Sequence, residues 1–250
     1  MESYLERVLF TTAISLALVL PFVVLAYITS RKGKAALNAV LLFAAFVLLD
    51  NACIWLMKVV EFIPDWGHWN WQGKVLEVAF PVLLALALPA AFGAKRMGLR
   101  LPENRRSWRE TAITCVLYLV VGVPLILLMG NHFGLTADAP TYAYEATMPG
   151  LGEEFMYRGL MLMVLNEAFG RPWKFAGIQF GWGFIIVSAL FGILHGVDAP
   201  SVDKIQIVWT GMIFPALTGV VLAWLRERTG SVWPGVVFHN FVNTVNQFFG

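Results

Sequence analysis

Charge is the scarcest property of this chain. Only 14% of its 250 residues are Asp, Glu, Lys or Arg, where a soluble domain carries about a quarter. Cysteine is nearly absent: Cys53 and Cys115 both lie in apolar runs, with no CxxC or His-paired spacing. That excludes a disulfide framework or a cysteine metal site and leaves two thiols buried in apolar segments. There are four histidines and no HExxH helix. The formal net charge of +2 is too small to imply a nucleic-acid partner. No internal repeat, low-complexity tract or soluble domain is visible, and the longest loops run to about 20 residues. What the chain does have is apolar mass, 58% of residues with a mean hydropathy of +0.69. That combination defines an integral membrane protein that meets the lipid bilayer directly.

A helix needs about 20 mostly apolar residues to cross the hydrocarbon core. Eight segments qualify as expected spans: roughly 8–28, 36–58, 75–93, 111–129, 152–169, 180–197, 205–225 and 232–249. The first has a net acidic leading sequence, MESYLER, and no A-x-A cleavage site, so it reads as a retained span rather than a signal peptide. Pro21, Pro81, Pro124 and Pro215 fall within spans and invite kinks that neighbouring helices can accommodate. The fold class is therefore all-α and polytopic, about eight transmembrane helices around a polar intramembrane cavity. It is one domain over 1–250, with spans one to four (1–130) accessory and spans five to eight (150–250) catalytic.

Alternate loops carry 13 of the 18 basic residues. They follow span one (Arg31, Lys32, Lys34), span three (Lys95, Arg96, Arg100, Arg105, Arg106, Arg109), span five (Arg171, Lys174) and span seven (Arg226, Arg228). The opposite side holds Arg7, Lys58, Lys74 and Lys204 among acids such as Glu61, Asp65, Asp138, Glu145, Asp198 and Asp203. The positive-inside rule then places the protein in the cell membrane with both termini on the non-cytoplasmic side. The tryptophans are read as interfacial anchors, Trp173, Trp182, Trp224 and Trp233 on the basic side and Trp66, Trp69 and Trp71 on the other.

Ionisable groups inside a bilayer are costly and mark sites by default. The second half of the chain concentrates them. Span five opens Gly152-Glu153-Glu154-Phe155-Met156-Tyr157-Arg158, span six ends Phe191-Gly192-Ile193-Leu194-His195, and span eight contains His239-Asn240-Phe241-Val242-Asn243. Glu154 and Arg158 are four apart, on one helix face, with the acid first, and can neutralise each other. Glu153 points about 100° away and lacks that partner. Phe191 with His195, and His239 with Asn243, share the same four-residue spacing. At about 1.5 Å per residue all of these meet in the outer half of the membrane, with His239 deepest. One carboxylate, two histidines and an amide form a hydrolytic constellation. His68 and His132 fall in expected loops as surface residues. Asp50 and Asn51, inside span two, either bond between helices or line the substrate path.

These three blocks, over about 150–247, resemble the CAAX protease and bacteriocin-processing (CPBP, or ABI) family, which includes the type II CAAX prenyl endopeptidase. The resemblance implies an intramembrane glutamate-type endopeptidase with no metal and no cofactor. It implies that Glu153 works with His195 to activate a water, that His239 and Asn243 form the oxyanion hole, and that Glu154, Arg158 and Phe191 support them. A membrane-anchored protein or peptide is the expected partner, and the depth of these residues, with the basic loops, puts the mouth of the cavity on the non-cytoplasmic face.

Two other readings fit part of the pattern. A carboxylate with two histidines is a known zinc set, although Asn243 is a poor zinc ligand. A non-proteolytic immunity or transport protein would use the same polar cavity to bind a peptide. A purely structural scaffold leaves the intramembrane Glu, His and Asn unexplained. Oligomeric state, substrate and cleavage site are not legible in the sequence.

Overall fold

A computed structural model of the chain describes residues 4–30, 33–55, 69–128, 137–201 and 204–249. His68, His132, Trp66 and Lys58 lie outside the described residues, as do the end of the second expected span and most of the loop before span five.

Helices occupy all eight expected positions. α1 (Tyr4–Ser30) and α2 (Gly33–Trp55) form an antiparallel hairpin, closed where the Tyr4 hydroxyl donates to the Ala52 carbonyl at 2.6 Å. α3 (Trp71–Ala87) stops at Leu88 because Pro89 follows, and the residue before proline is driven out of the helical region. The chain then turns through 118° into two short helices, α4 (Pro89–Phe92) and α5 (Ala94–Met97), so the third expected span is broken. α6 (Arg105–Leu117), a π-helical turn (Tyr118–Gly122) and α7 (Val123–Leu128) make one continuous 24-residue span.

After α8 (Ala139–Glu145) comes the central helix. It runs through α9 (Met148–Glu153), an eight-residue π-helical segment (Glu154–Met161) and α10 (Leu162–Phe169). α11 (Trp182–Gly196), α12 (Trp209–Thr229) and α13 (Trp233–Phe249) complete the bundle. The all-α class holds for the bundle, with two small additions. Antiparallel hairpins β1–β2 (Trp173–Phe175, Ile178–Phe180) and β3–β4 (Val197–Ser201, Lys204–Ile207) sit in the loops before and after α11. Ala176 and Gly177, both at positive φ, make the turn of the first.

Length and composition qualify four of these helices to cross a membrane: α1, residues 36–54 of α2, the α6–α7 span and α12. The bent α3–α5 unit adds a fifth if it counts as one span. The count of eight is therefore not reached by this measure. α11 has 15 residues and α13 has 17, short of about 20. The central helix contains Glu153, Glu154, Arg158 and Glu167.

Burial explains how a charged helix is tolerated. Every residue from Glu154 to Leu165 is buried, and the helix is wrapped by α2, α3, α11, α12 and α13. The apolar surface faces outward instead: Leu5, Leu20, Ile28 and Leu41 on the first hairpin, and Val116, Val120 and Leu128 on the α6–α7 span, are all exposed. That inversion is the arrangement lipid requires, since hydrocarbon outside offers no reason to hide leucine and every reason to hide a carboxylate.

Close approach between α11 and α12 depends on a small-residue stripe, Ser188, Gly192 and Gly196, at helical spacing. A Cβ on Gly192 would lie 2.4 Å from the Met212 carbonyl oxygen. This contact sets the position of His195, one residue before the end of α11. At the opposite end the basic loops meet. Arg228 bonds Glu110 and the Gly177 carbonyl, Arg226 bonds the Arg96 carbonyl, and Arg171 pairs with Glu227. The tryptophans there are tied as well as interfacial: Trp182 to Thr29, Trp224 to the Ala176 carbonyl, Trp233 to the Leu99 carbonyl.

Candidate active site

The polar cluster lies at the end of the bundle away from those basic loops. Its foundation is the start of the central helix. Pro149 occupies the first turn of α9, and the Asn240 carboxamide on α13 satisfies the helix end. Asn240 Oδ1 accepts from Gly150 N at 2.7 Å, while its Nδ2 donates to the Thr147 carbonyl at 3.1 Å. Asn240, read in the sequence only as a neighbour of His239, thus fixes α13 to the helix that carries both glutamates.

Glu154 and Arg158 are paired at 2.9 Å with both side chains fully buried. The guanidinium also donates to the Gly219 carbonyl at 3.2 Å and stands 4.4 Å from the centre of the Phe191 ring. Glu154 Oε1 takes a second partner, His239 Nδ1, at 3.0 Å. A carboxylate only accepts, so Nδ1 carries the proton and His239 Nε2 is left facing Glu153 Oε2, 3.8 Å away. His195 is fixed in the same manner: its Nδ1 lies 2.7 Å from the Phe191 carbonyl oxygen, which turns Nε2 toward Glu153 Oε2 at 4.0 Å. Phe191 packs against both imidazoles, at 4.5 Å and 5.6 Å between ring centres. His195 is the open side of the cluster, 39% exposed against 4% for His239.

Asn243 is set back from this group. Its Nδ2 donates to Glu145 Oε2 at 3.0 Å, so α8 supports the face of α13 that carries His239 and Asn243. Glu145, counted among the acids of an outer loop, is buried. Burial pushes its carboxyl above the ordinary value and the Asn243 bond pulls it back. Stacking of Trp69 on Tyr144, 4.8 Å between ring centres, holds α8 in place.

Glu153 does lack Arg158 as a partner, but it has another. Lys74, placed by the sequence reading in a loop, belongs to the first turn of α3 and reaches Glu153 Oε1 at 2.8 Å. Its ammonium is shared with Glu77 at 2.8 Å. The Lys-x-x-Glu spacing at the edge of an apolar run was the available signal, but charge at a span edge is ordinarily interfacial. Asp50 accepts from the Tyr157 hydroxyl at 2.7 Å, an interhelical bond, whereas Asn51 donates to its own helix at the Val47 carbonyl. Among the described residues no three His, Cys, Asp or Glu side chains are grouped to hold a metal ion.

Buried ionisable groups converging on one carboxylate, inside a bundle with a lipid-facing exterior, define a polytopic membrane hydrolase. Residues 135–245 match the family model described as type II CAAX prenyl endopeptidase Rce1-like, a family of peptidases. Comparison with curated proteins and with solved structures gives no match. The matched segment contains every block from which the CPBP resemblance was drawn, and the chain is an enzyme of the peptide-bond hydrolase class.

Proposed function

We propose that the protein is an intramembrane glutamate-type endopeptidase that cleaves membrane-associated proteins or peptides. The observation supporting this most directly is the meeting of Glu153 Oε2 with Nε2 of His195 and of His239, at 4.0 and 3.8 Å. Those separations are too long for direct hydrogen bonds and suit one intervening water, since two contacts of about 2.8 Å close a triangle on such a base. Glu153 Oε2 and His195 Nε2 are both acceptors, so the water donates a proton to each and its lone pairs are free to attack a carbonyl. Glu153 takes the proton as general base, and the pair returns it to the leaving amine.

In this reading His239, backed by Glu154, presents an Nε2–H to the developing oxyanion when its ring carries both protons. Asn243 contributes its remaining amide N–H from the same helix face. Arg158 fixes Glu154, and Phe191 fixes both rings. Peptide chemistry inside a bilayer demands a polar entrance, and the partly exposed His195 marks it.

Comparing membrane proteomes of cells that carry the wild-type chain or Glu153→Ala tests the activity. Membrane proteins whose termini shift only with the wild type are the expected result, and identical termini in both would sink the peptidase reading. Exhaustive chelation of the purified protein is expected to leave cleavage of such substrates intact. Loss restored by zinc would favour the zinc reading.

The distribution of the basic loops supports an active-site end and both termini on the non-cytoplasmic side of the cell membrane, with outer-leaflet proteins or peptides as the substrate pool. Cysteine labelling is expected to find 131–149 accessible from outside and 100–109 from inside. The reverse pattern would transfer the mouth, and the substrates, to the cytoplasm.

A further inference from the structure

The family match begins at residue 135, yet one of the closest contacts to Glu153 comes from the first half of the chain. Lys74 is buried at 7% exposure and Glu77 at 0%, both on the first two turns of α3. The ammonium has three N–H bonds, and three acceptors lie within reach: Glu77 Oε1 at 3.1 Å, Glu77 Oε2 at 2.8 Å and Glu153 Oε1 at 2.8 Å. None remains for a substrate, so Lys74 does not act as a binding residue.

The chain is shaped to permit this contact. α3 is anchored to the end of α2 by Asn70, which donates to the Cys53 carbonyl at 3.0 Å and accepts from Gly73 N at 2.8 Å. Its first turns lie directly against Gly152, where a Cβ would sit 2.4 Å from Glu77 Oε2 and 3.0 Å from Lys74 Cδ. Only a residue without a side chain immediately before Glu153 lets the Lys74–Glu77 pair come this near.

We infer that Lys74 is the positioning residue for Glu153: it grips Oε1 so that Oε2 is presented to the two histidines, and Glu77 in turn fixes the ammonium. This rests on the reading of Glu153 as the base. It makes α3 part of the catalytic apparatus rather than an accessory span. A carboxylate on a free side chain samples several rotamers, and a misplacement of about 1 Å at a reacting group can cost about 100-fold in rate.

A merely structural alternative is that Lys74 exists to neutralise Glu77. The double variant Lys74→Met/Glu77→Gln separates the two, because it removes both charges and leaves no buried carboxylate unpaired at position 77. The purified full-length protein is assayed on quenched peptides spanning the cleavage sites found in the proteome comparison. With elution profile and melting temperature as in the wild type, kcat is expected to fall about 100-fold while KM stays near its original value. Lys74→Arg, which keeps a cationic donor, is expected to recover most of kcat. Should the methionine variant not fold, Lys74→Gln/Glu77→Gln makes the same comparison with polar replacements.

Wild-type kcat in the folded double variant would overturn the inference and leave the peptidase reading standing. A Glu153→Gln enzyme as fast as the wild type would remove the reading of Glu153 as the base, and this inference with it, without reference to Lys74.

Discussion

Glu153→Gln is expected to lower kcat by about 100- to 10,000-fold, the range supplied by a positioned general base, while the protein stays folded. Glutamine keeps the size of the side chain and still offers an oxygen to Lys74 Nζ, which lies 2.8 Å from Glu153 Oε1. What it loses is the capacity to accept a proton at Oε2. His195→Ala is expected to cost less, because the imidazole shares the same water but leaves the carboxylate in place. Removing both is expected to be little worse than Glu153→Gln alone, since groups that act on one water do not contribute additively. Single-turnover rates for the three variants on one quenched peptide check this. Full additivity of the two losses in ln kcat would mean that the two residues serve separate steps.

Arg158→Met is expected to produce the largest loss of stability. The guanidinium is completely buried and holds Glu154 Oε1 at 2.9 Å, the Gly219 carbonyl at 3.2 Å and the Phe191 ring at 4.4 Å. Breaking a buried ion pair by removing one partner leaves the other charge unsolvated, which costs about 3–5 kcal/mol. Here Glu154 would keep only His239, 3.0 Å from the same oxygen. Replacing both members, Glu154→Gln with Arg158→Met, is expected to restore much of the stability, because no lone charge remains. Activity is not expected to return with it, since Glu154 orients His239. Thermal unfolding of the purified variants in one detergent measures the first effect, and peptide cleavage the second. Equal stability of the single and double variants would show that the pair does not act as a unit.

Most of the polar cluster was legible in the sequence for a simple reason. Glu153, Glu154, Arg158, His195, His239 and Asn243 are polar residues in apolar surroundings, and helical spacing assigns them to faces. Glu154 with Arg158 follows directly from that spacing, and so does the facing of Phe191 with His195. The contributions of Lys74, Glu145 and Asn240 were not legible. Lys74 and Glu145 sit at the ends of apolar runs, where a charge has an ordinary interfacial explanation. Asn240 has no distinguishing pattern beside His239. The π-helical segment from Glu154 to Met161 was equally silent, because its residues satisfy an α-helical period as well.

The sequence by itself determined the solvent and the presence of a polar cluster within it. Apolar excess with little charge requires a bilayer, and the few carboxylates and imidazoles left within it require partners. Composition cannot say how far a span runs before it bends, and here Pro89 and the 118° turn after α3 broke one expected crossing. Nor can it say which distant groups meet. Tertiary structure decided that, by bringing α3 against Gly152 so that a charge from the first half of the chain reaches Glu153. The physical reason is that a buried charge is satisfied by whatever donor packing delivers, and packing between helices 79 residues apart leaves no periodic trace in the chain.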